Sequence, residues 1–129
     1  MIFSQTSRNL IMLGSLGGLL SIVLGAFGAH AVKAWLATDL MAVYQTAVSY
    51  QMYHSLGLIL IGLIYHHHQS RLIKSAGWLM LSGMIIFSGS LYLLSLAGIR
   101  WLGMITPVGG ICLIIAWLFL LMGISKKAS

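Results

Sequence analysis

The chain has 129 residues, of which 60% are hydrophobic and 6% charged, against roughly 45 to 50% and 25% in ordinary soluble domains. A soluble fold of this length cannot hide so much apolar surface, which excludes a water-soluble globule and makes lipid the solvent. The net charge of +6 comes from seven basic residues and the single acid Asp39, and the cations sit at the ends of apolar runs, where they anchor helices rather than bind nucleic acid.

At about 20 residues per crossing, the chain has room for four spans and short loops. The expected fold is an all-α membrane protein, a bundle of four transmembrane helices, with 1–129 forming one membrane domain. The first span is expected over 10–29. A basic start and the Ala29-His30-Ala31 triplet mimic a secretory signal, but the apolar stretch exceeds the roughly 7 to 15 residues of a signal core, so it is expected to persist as a helix. On a helical wheel Gly14, Gly18, Ser21, Gly25 and Gly28 form one stripe of small residues, a platform on which another helix backbone can approach closely. His30 follows at the end of this helix.

The next loop carries Lys33, Trp35 and Asp39, and Thr38 or Asp39 is the expected N-cap of a helix beginning near Leu40. The second span, expected over 43–65, is the polar one. Winding it at 100° per residue gathers Tyr44, Ala47, Tyr50, Gln51, His54 and Ser55 into one arc, with Met52, Leu56, Ile59, Leu60 and Leu63 opposite. Polar groups inside a membrane are costly unless paired, so this arc must face protein or water. Trp35 and Tyr44 read as interfacial aromatics.

His66, His67 and His68 end this span and point in different directions on a helix, which suits a solvated end better than metal ligation. In the third span, over 77–97, Ser88, Tyr92 and Ser95 share a stripe. Their hydroxyls are expected either to bond the carbonyl four residues back or to face the polar arc. A short turn with Arg100 leads to the fourth span, over 102–124, where Thr106-Pro107-Val108-Gly109-Gly110 is expected to bend or unwind the helix at the depth of His30, Gln51 and His54. Cys112, the one cysteine, lies inside this apolar run and reads as a small hydrophobe.

Four crossings put both termini and the second loop on one side, with Arg8, Arg71, Lys74, Lys126 and Lys127 there and only Lys33 and Arg100 on the other. That asymmetry predicts cytoplasmic termini.

Four blocks in order carry a resemblance: Leu24-Gly25-Ala26-Phe27-Gly28-Ala29-His30; Tyr44-Gln45-Thr46-Ala47 with Tyr50-Gln51-Met52-Tyr53-His54; Phe87-Ser88-Gly89-Ser90-Leu91-Tyr92; and Thr106-Pro107-Val108-Gly109-Gly110. The chain resembles the YgdD-like family of small inner-membrane proteins, the domain-of-unknown-function 423 family, related to transmembrane protein 256. The resemblance implies a four-helix integral membrane protein of bacterial type, in the inner (plasma) membrane, and implies no mechanism.

Two main functional readings follow. In the first the chain is a structural or accessory bundle, as a homo-oligomer or as a subunit of a larger membrane complex, whose polar side chains hold the helices in register. In the second it is a transporter or small-ligand binder with an outward-facing polar cavity lined by His30, Tyr50, Gln51, His54, Ser88, Tyr92, Arg100 and Thr106. The absence of an acid within the spans counts against proton or cation relay. A haem or copper site on His30 and His54 is a weaker third reading, because the methionines are scattered. An enzyme would need a nucleophile, a base and an orienting acid together, and Asp39 lies in a loop. No catalytic, cofactor-binding or metal-binding residues are therefore expected, and the partners are the lipid bilayer and other membrane proteins.

Overall fold

A computed structural model describes residues 2–127. Four α-helices carry the chain back and forth: α1 (Gln5–His30), α2 (Thr38–His67), α3 (Arg71–Ala97) and α4 (Thr106–Ser125). All four, α1 and α4 taken with the 3-10 turns beside them, are long and apolar enough to cross a membrane. The shortest, α4, has 20 residues, or about 30 Å at the α-helical rise, which equals the usual hydrocarbon thickness.

The helix ends follow local chemistry. Ser4 caps α1 by accepting from the Ser7 amide at 3.2 Å, which starts that helix well before Leu10. Ser70 caps α3 by accepting from the Leu72 amide at 3.2 Å. Gly98 ends α3 in the left-handed region at φ 69°, a conformation that a side chain would oppose. At α2 the expected cap is corrected. The N-cap is Ala37, with no side-chain bond, while Thr38 and Asp39 lie inside the first turn. There the Asp39 carboxylate favours the positive end of the helix dipole without capping it.

The expected break in the fourth span is also corrected. Thr106 and Pro107 begin α4 rather than interrupt it, and the irregular backbone lies upstream, in a 3-10 turn over Arg100–Met104. Proline belongs in a first helical turn because the amide it lacks has no partner there.

Each helix packs mainly on its neighbours in sequence, α1 on α2, α2 on α3 and α3 on α4. From α2, Gly62 approaches Ile11 of α1 while Gly57 approaches Trp117 of α4, so α1 and α4 flank the central α2–α3 pair. Leu10, Leu58, Ile61, Ile73, Met80 and Ala116 form the main apolar core. Long apolar side chains such as Leu19, Ile22, Leu56, Ile85 and Ile114 face outward, as lipid contact requires.

Glycines set the closeness of α1 to α2. A Cβ on Gly14 would stand 2.6 Å from the Ser55 carbonyl oxygen, and Gly28 lies against the Tyr44 ring. Gly14, Ser21 and Gly28 of the expected stripe are buried, and a Cβ on Gly25 would lie 3.3 Å from Val48. Gly18 lies at the margin, where a Cβ would come no nearer than 4.0 Å to the Met52 sulfur, and Gly17 takes its place against Ser55. The contact face is thus turned toward Gly17. Gly14→Ala is expected to lower stability in detergent by about 1 to 3 kcal/mol, because the clash is with backbone. Gly18→Ala should be neutral or slightly stabilising. Thermal unfolding of the two variants checks the contrast, and equal melting would refute it.

Candidate functional site

The polar arc of α2 faces inward. Tyr44, Ala47, Gln51, His54 and Ser55 are all buried, whereas Leu56, Leu60 and Leu63 opposite are exposed. Tyr50 lies at the edge, 39% exposed. The periodicity that selected this face works because a helix between protein and lipid must divide its polar and apolar residues.

Gln51 is the hub. Its amide nitrogen donates to the Gly17 carbonyl of α1 at 2.9 Å, and its amide oxygen accepts from the Tyr92 hydroxyl of α3 at 2.6 Å. One side chain thereby joins three helices. Above it Tyr44 donates to the Leu24 carbonyl, and its ring meets Tyr92 edge-on at 5.5 Å. Tyr44 is 1% exposed, because Gly28 leaves room for its ring between helices, so the ring packs on protein.

The serines of α3 divide between the two expected patterns. Ser95 donates to the Leu91 carbonyl four residues back at 2.8 Å, whereas Ser88 crosses to the Ala47 carbonyl of α2 at 2.8 Å. Ser90 and Thr106 share a hydroxyl–hydroxyl bond of 2.6 Å that ties α3 to the start of α4. Ser55 donates back to the Gln51 carbonyl at 2.6 Å. Only Ser21 has a buried hydroxyl oxygen without a partner among the described residues.

His54 links α2 to α4. The Trp117 indole N–H donates to its Nε2 at 3.2 Å, so Nε2 must be the acceptor, since an indole nitrogen can only donate. The proton then resides on Nδ1, which donates to the Tyr50 carbonyl at 2.7 Å. Both ring nitrogens are engaged. Beside the ring is a groove of about 500 Å³ between α2 and α4, bounded chiefly by Tyr50, Tyr53, Phe87, Ile114 and Trp117. Tyr50 stacks on Phe87 with ring centroids 4.6 Å apart. The groove is aromatic and apolar, unlike the polar cavity expected.

The eight-residue cluster read from sequence is thus separated into parts. Gln51 and Tyr92 are bonded to one another, Ser88 binds α2 nearby, and Thr106 pairs with Ser90. Tyr50 and His54 border the groove. His30 and Arg100 are exposed near the ends of α1 and α3 and join neither group. His30 follows Gly28, which packs on Tyr44, and ten residues of α2 separate Tyr44 from His54, about 15 Å of helix. The two histidines are not at one depth and do not converge on a common ligand. Among the described residues no three His, Cys, Asp or Glu side chains gather as a metal site would require.

Sequence reasoning did not select Gly17 or Trp117. Gly17 was hidden because its role is a bare carbonyl, and Trp117 because an indole in an apolar span looks like lipid contact until a buried acceptor faces it.

A family model described as "Protein of unknown function (DUF423)" matches residues 24–110. Among curated proteins, a UPF0382 membrane protein of Staphylococcus haemolyticus is 48% identical over 116 residues, covering 90% of this chain and 94% of the relative. One from Staphylococcus epidermidis is 46% identical over 118 residues, with 92% and 96% covered. The UPF0382 membrane protein YwdK of Bacillus subtilis is 41% identical over 117 residues, with 90% and 95% covered. No solved structure matches the chain.

Proposed function

The chain belongs to the DUF423 family of membrane proteins, and from that premise we propose that it is a non-catalytic accessory bundle of the bacterial inner membrane, a subunit or scaffold for larger assemblies. One observation supports this most: Gln51 and His54, the polar side chains at the centre of α2 that a transport pathway would need, are already used in bonds to neighbouring helices. Interhelical hydrogen bonds in membranes contribute roughly 0.6 to 2 kcal/mol each, which is enough reason for a small bundle to keep them.

The test is His54→Leu, which removes the bond to Trp117. Purified protein should unfold more readily in detergent, and any phenotype of a deletion strain should be rescued in proportion to the variant's abundance. A variant of normal abundance and stability that fails to rescue would overturn the structural reading.

The proposed orientation places both termini in the cytoplasm, supported by Arg8, Arg71, Lys74, Lys126 and Lys127 on that side against Lys33 and Arg100 on the other. A C-terminal green fluorescent protein fusion should fluoresce, and active alkaline phosphatase at the same position would reverse the assignment.

The groove beside His54 favours a second reading, binding of an apolar small molecule from the bilayer. Gly110 borders this groove, and a Cβ there would be 3.7 Å from the Phe87 ring, an ordinary contact. Gly110→Leu therefore fills the groove while sparing the helix contact. Loss of rescue at normal stability in this variant would favour the second reading over the first.

A further inference from the structure

We propose that the furrow at the loop between α1 and α2 holds one anionic phospholipid, its phosphate on Lys33 and its upper acyl chain between the two helices. A hollow of about 380 Å³ at the start of α2 is lined by Lys33, Leu36, Thr38, Met41 and Gln45. Thr38, Met41 and Gln45 follow one another at steps of three and four residues and so share one helix face. A second hollow, of about 280 Å³, shares Met41 and Gln45 with the first and runs on between the helices past Gly25, Val48 and Ser49. The two make one furrow.

Its chemistry changes along its length in the order that a phospholipid does. Lys33 is the sole charged side chain lining either hollow. Asp39 follows Thr38 and is therefore turned about 100° from it on the helix, off the lining face. Next come hydrogen-bonding groups at the depth of the glycerol esters: the Thr38 hydroxyl and the Gln45 amide. Helical side chains lean toward their own N-terminus, which directs Gln45 of α2 back toward Thr38 and Lys33. Deeper still, Gly25 and Val48 offer an apolar wall.

The polar groups here also differ from others on α2. Thr46 and Ser55 return their hydroxyls to the carbonyls of Ala42 and Gln51, four residues back. Gln45 and Ser49 have no such partner among the described residues and line the furrow instead. A polar side chain at a lipid-facing position needs a partner, and a bound head group with its ester oxygens supplies one. The positive charge selects an anionic lipid over a zwitterionic one. The inference depends neither on the accessory role nor on which leaflet the loop meets.

Native mass spectrometry of the full chain, titrated with phosphatidylglycerol and phosphatidylcholine of identical acyl chains, tests it. One phosphatidylglycerol should be retained about fivefold more tightly than phosphatidylcholine, the preference expected from one lysine near a head group. Lys33→Gln should abolish that preference, and Lys126→Gln, at the opposite end of the bundle, should leave it intact. Gln45→Leu should weaken retention of both lipids while sparing the preference between them. All three positions are exposed, so folding should survive. Equal retention of the two lipids, an unchanged preference in Lys33→Gln, or displacement by free glycerol phosphate at the same concentration would each overturn the proposal.

Discussion

Gly109→Leu is expected to force α3 and α4 apart and to lower stability by about 3 kcal/mol, the upper end of the usual cost of overpacking. The size of the effect follows from what the new side chain would meet. A Cβ on Gly109 would stand 2.5 Å from the Phe87 backbone nitrogen and 2.8 Å from its Cα, so no rotamer change can relieve it. Across the same contact a Cβ on Gly83 would lie 3.0 Å from the Gly109 carbonyl oxygen, so the two backbones are mutually close. The Ser90–Thr106 bond, one turn away, should be lost as the helices separate. Gly110→Leu is the control, differing by one residue and directed at an open groove, and should change stability by less than about 0.5 kcal/mol. Unfolding in mixed detergent measures both variants. Equal loss at the two positions would show that the tight α3–α4 crossing is not where the structure puts it.

Gln51→Leu is expected to cost about 1 to 3 kcal/mol, although leucine is similar in size and better suited to lipid. The substitution removes two bonds that reach different helices and leaves the Tyr92 hydroxyl with no acceptor. A buried polar group without its partner accounts for a cost of that size. Thr46→Val offers the comparison, since its hydroxyl is exposed and bonds only its own helix. It should lie within about 0.5 kcal/mol of the unaltered protein. Fluorescence-monitored thermal unfolding distinguishes the two. A Gln51→Leu protein as stable as Thr46→Val would mean that the three-helix junction contributes nothing.

Much of this arrangement could be read from residue order alone, and the limits have physical causes. The inward face of α2 was legible because lipid on one side and protein on the other impose a helical period on polarity. Tyr44 and Gln51 both belong to that face, yet Tyr44 also read as an interfacial aromatic. A tyrosine near a helix start fits the interface equally well, and the glycine that admits its ring stands on another helix. Pro107 is ambiguous for a similar reason. It ends a helix when it falls inside one and begins a helix when it falls in the first turn, and the boundary was set by the 3-10 turn at Arg100–Met104.

The candidate site was less legible than the fold. His30, Arg100 and Gln51 all look costly in a membrane, but cost alone does not state which groups meet. Partnership depends on the depth and rotation of each helix, and those are fixed by close approaches such as Gly14 to Ser55 and Gly109 to Phe87. The link from His54 to Trp117 joins residues 63 positions apart. No local pattern encodes such a pair.

The central claim is that the hydrophilic side of α2 is answered by side chains of the neighbouring helices. Its most direct test is a double-mutant cycle on Gln51 and Tyr92 by reversible unfolding in bicelles, with Gln51→Leu, Tyr92→Phe and the combined variant. A shared hydrogen bond predicts a coupling energy of about 0.6 to 1.7 kcal/mol. Additive losses, with no coupling beyond error, would contradict the account.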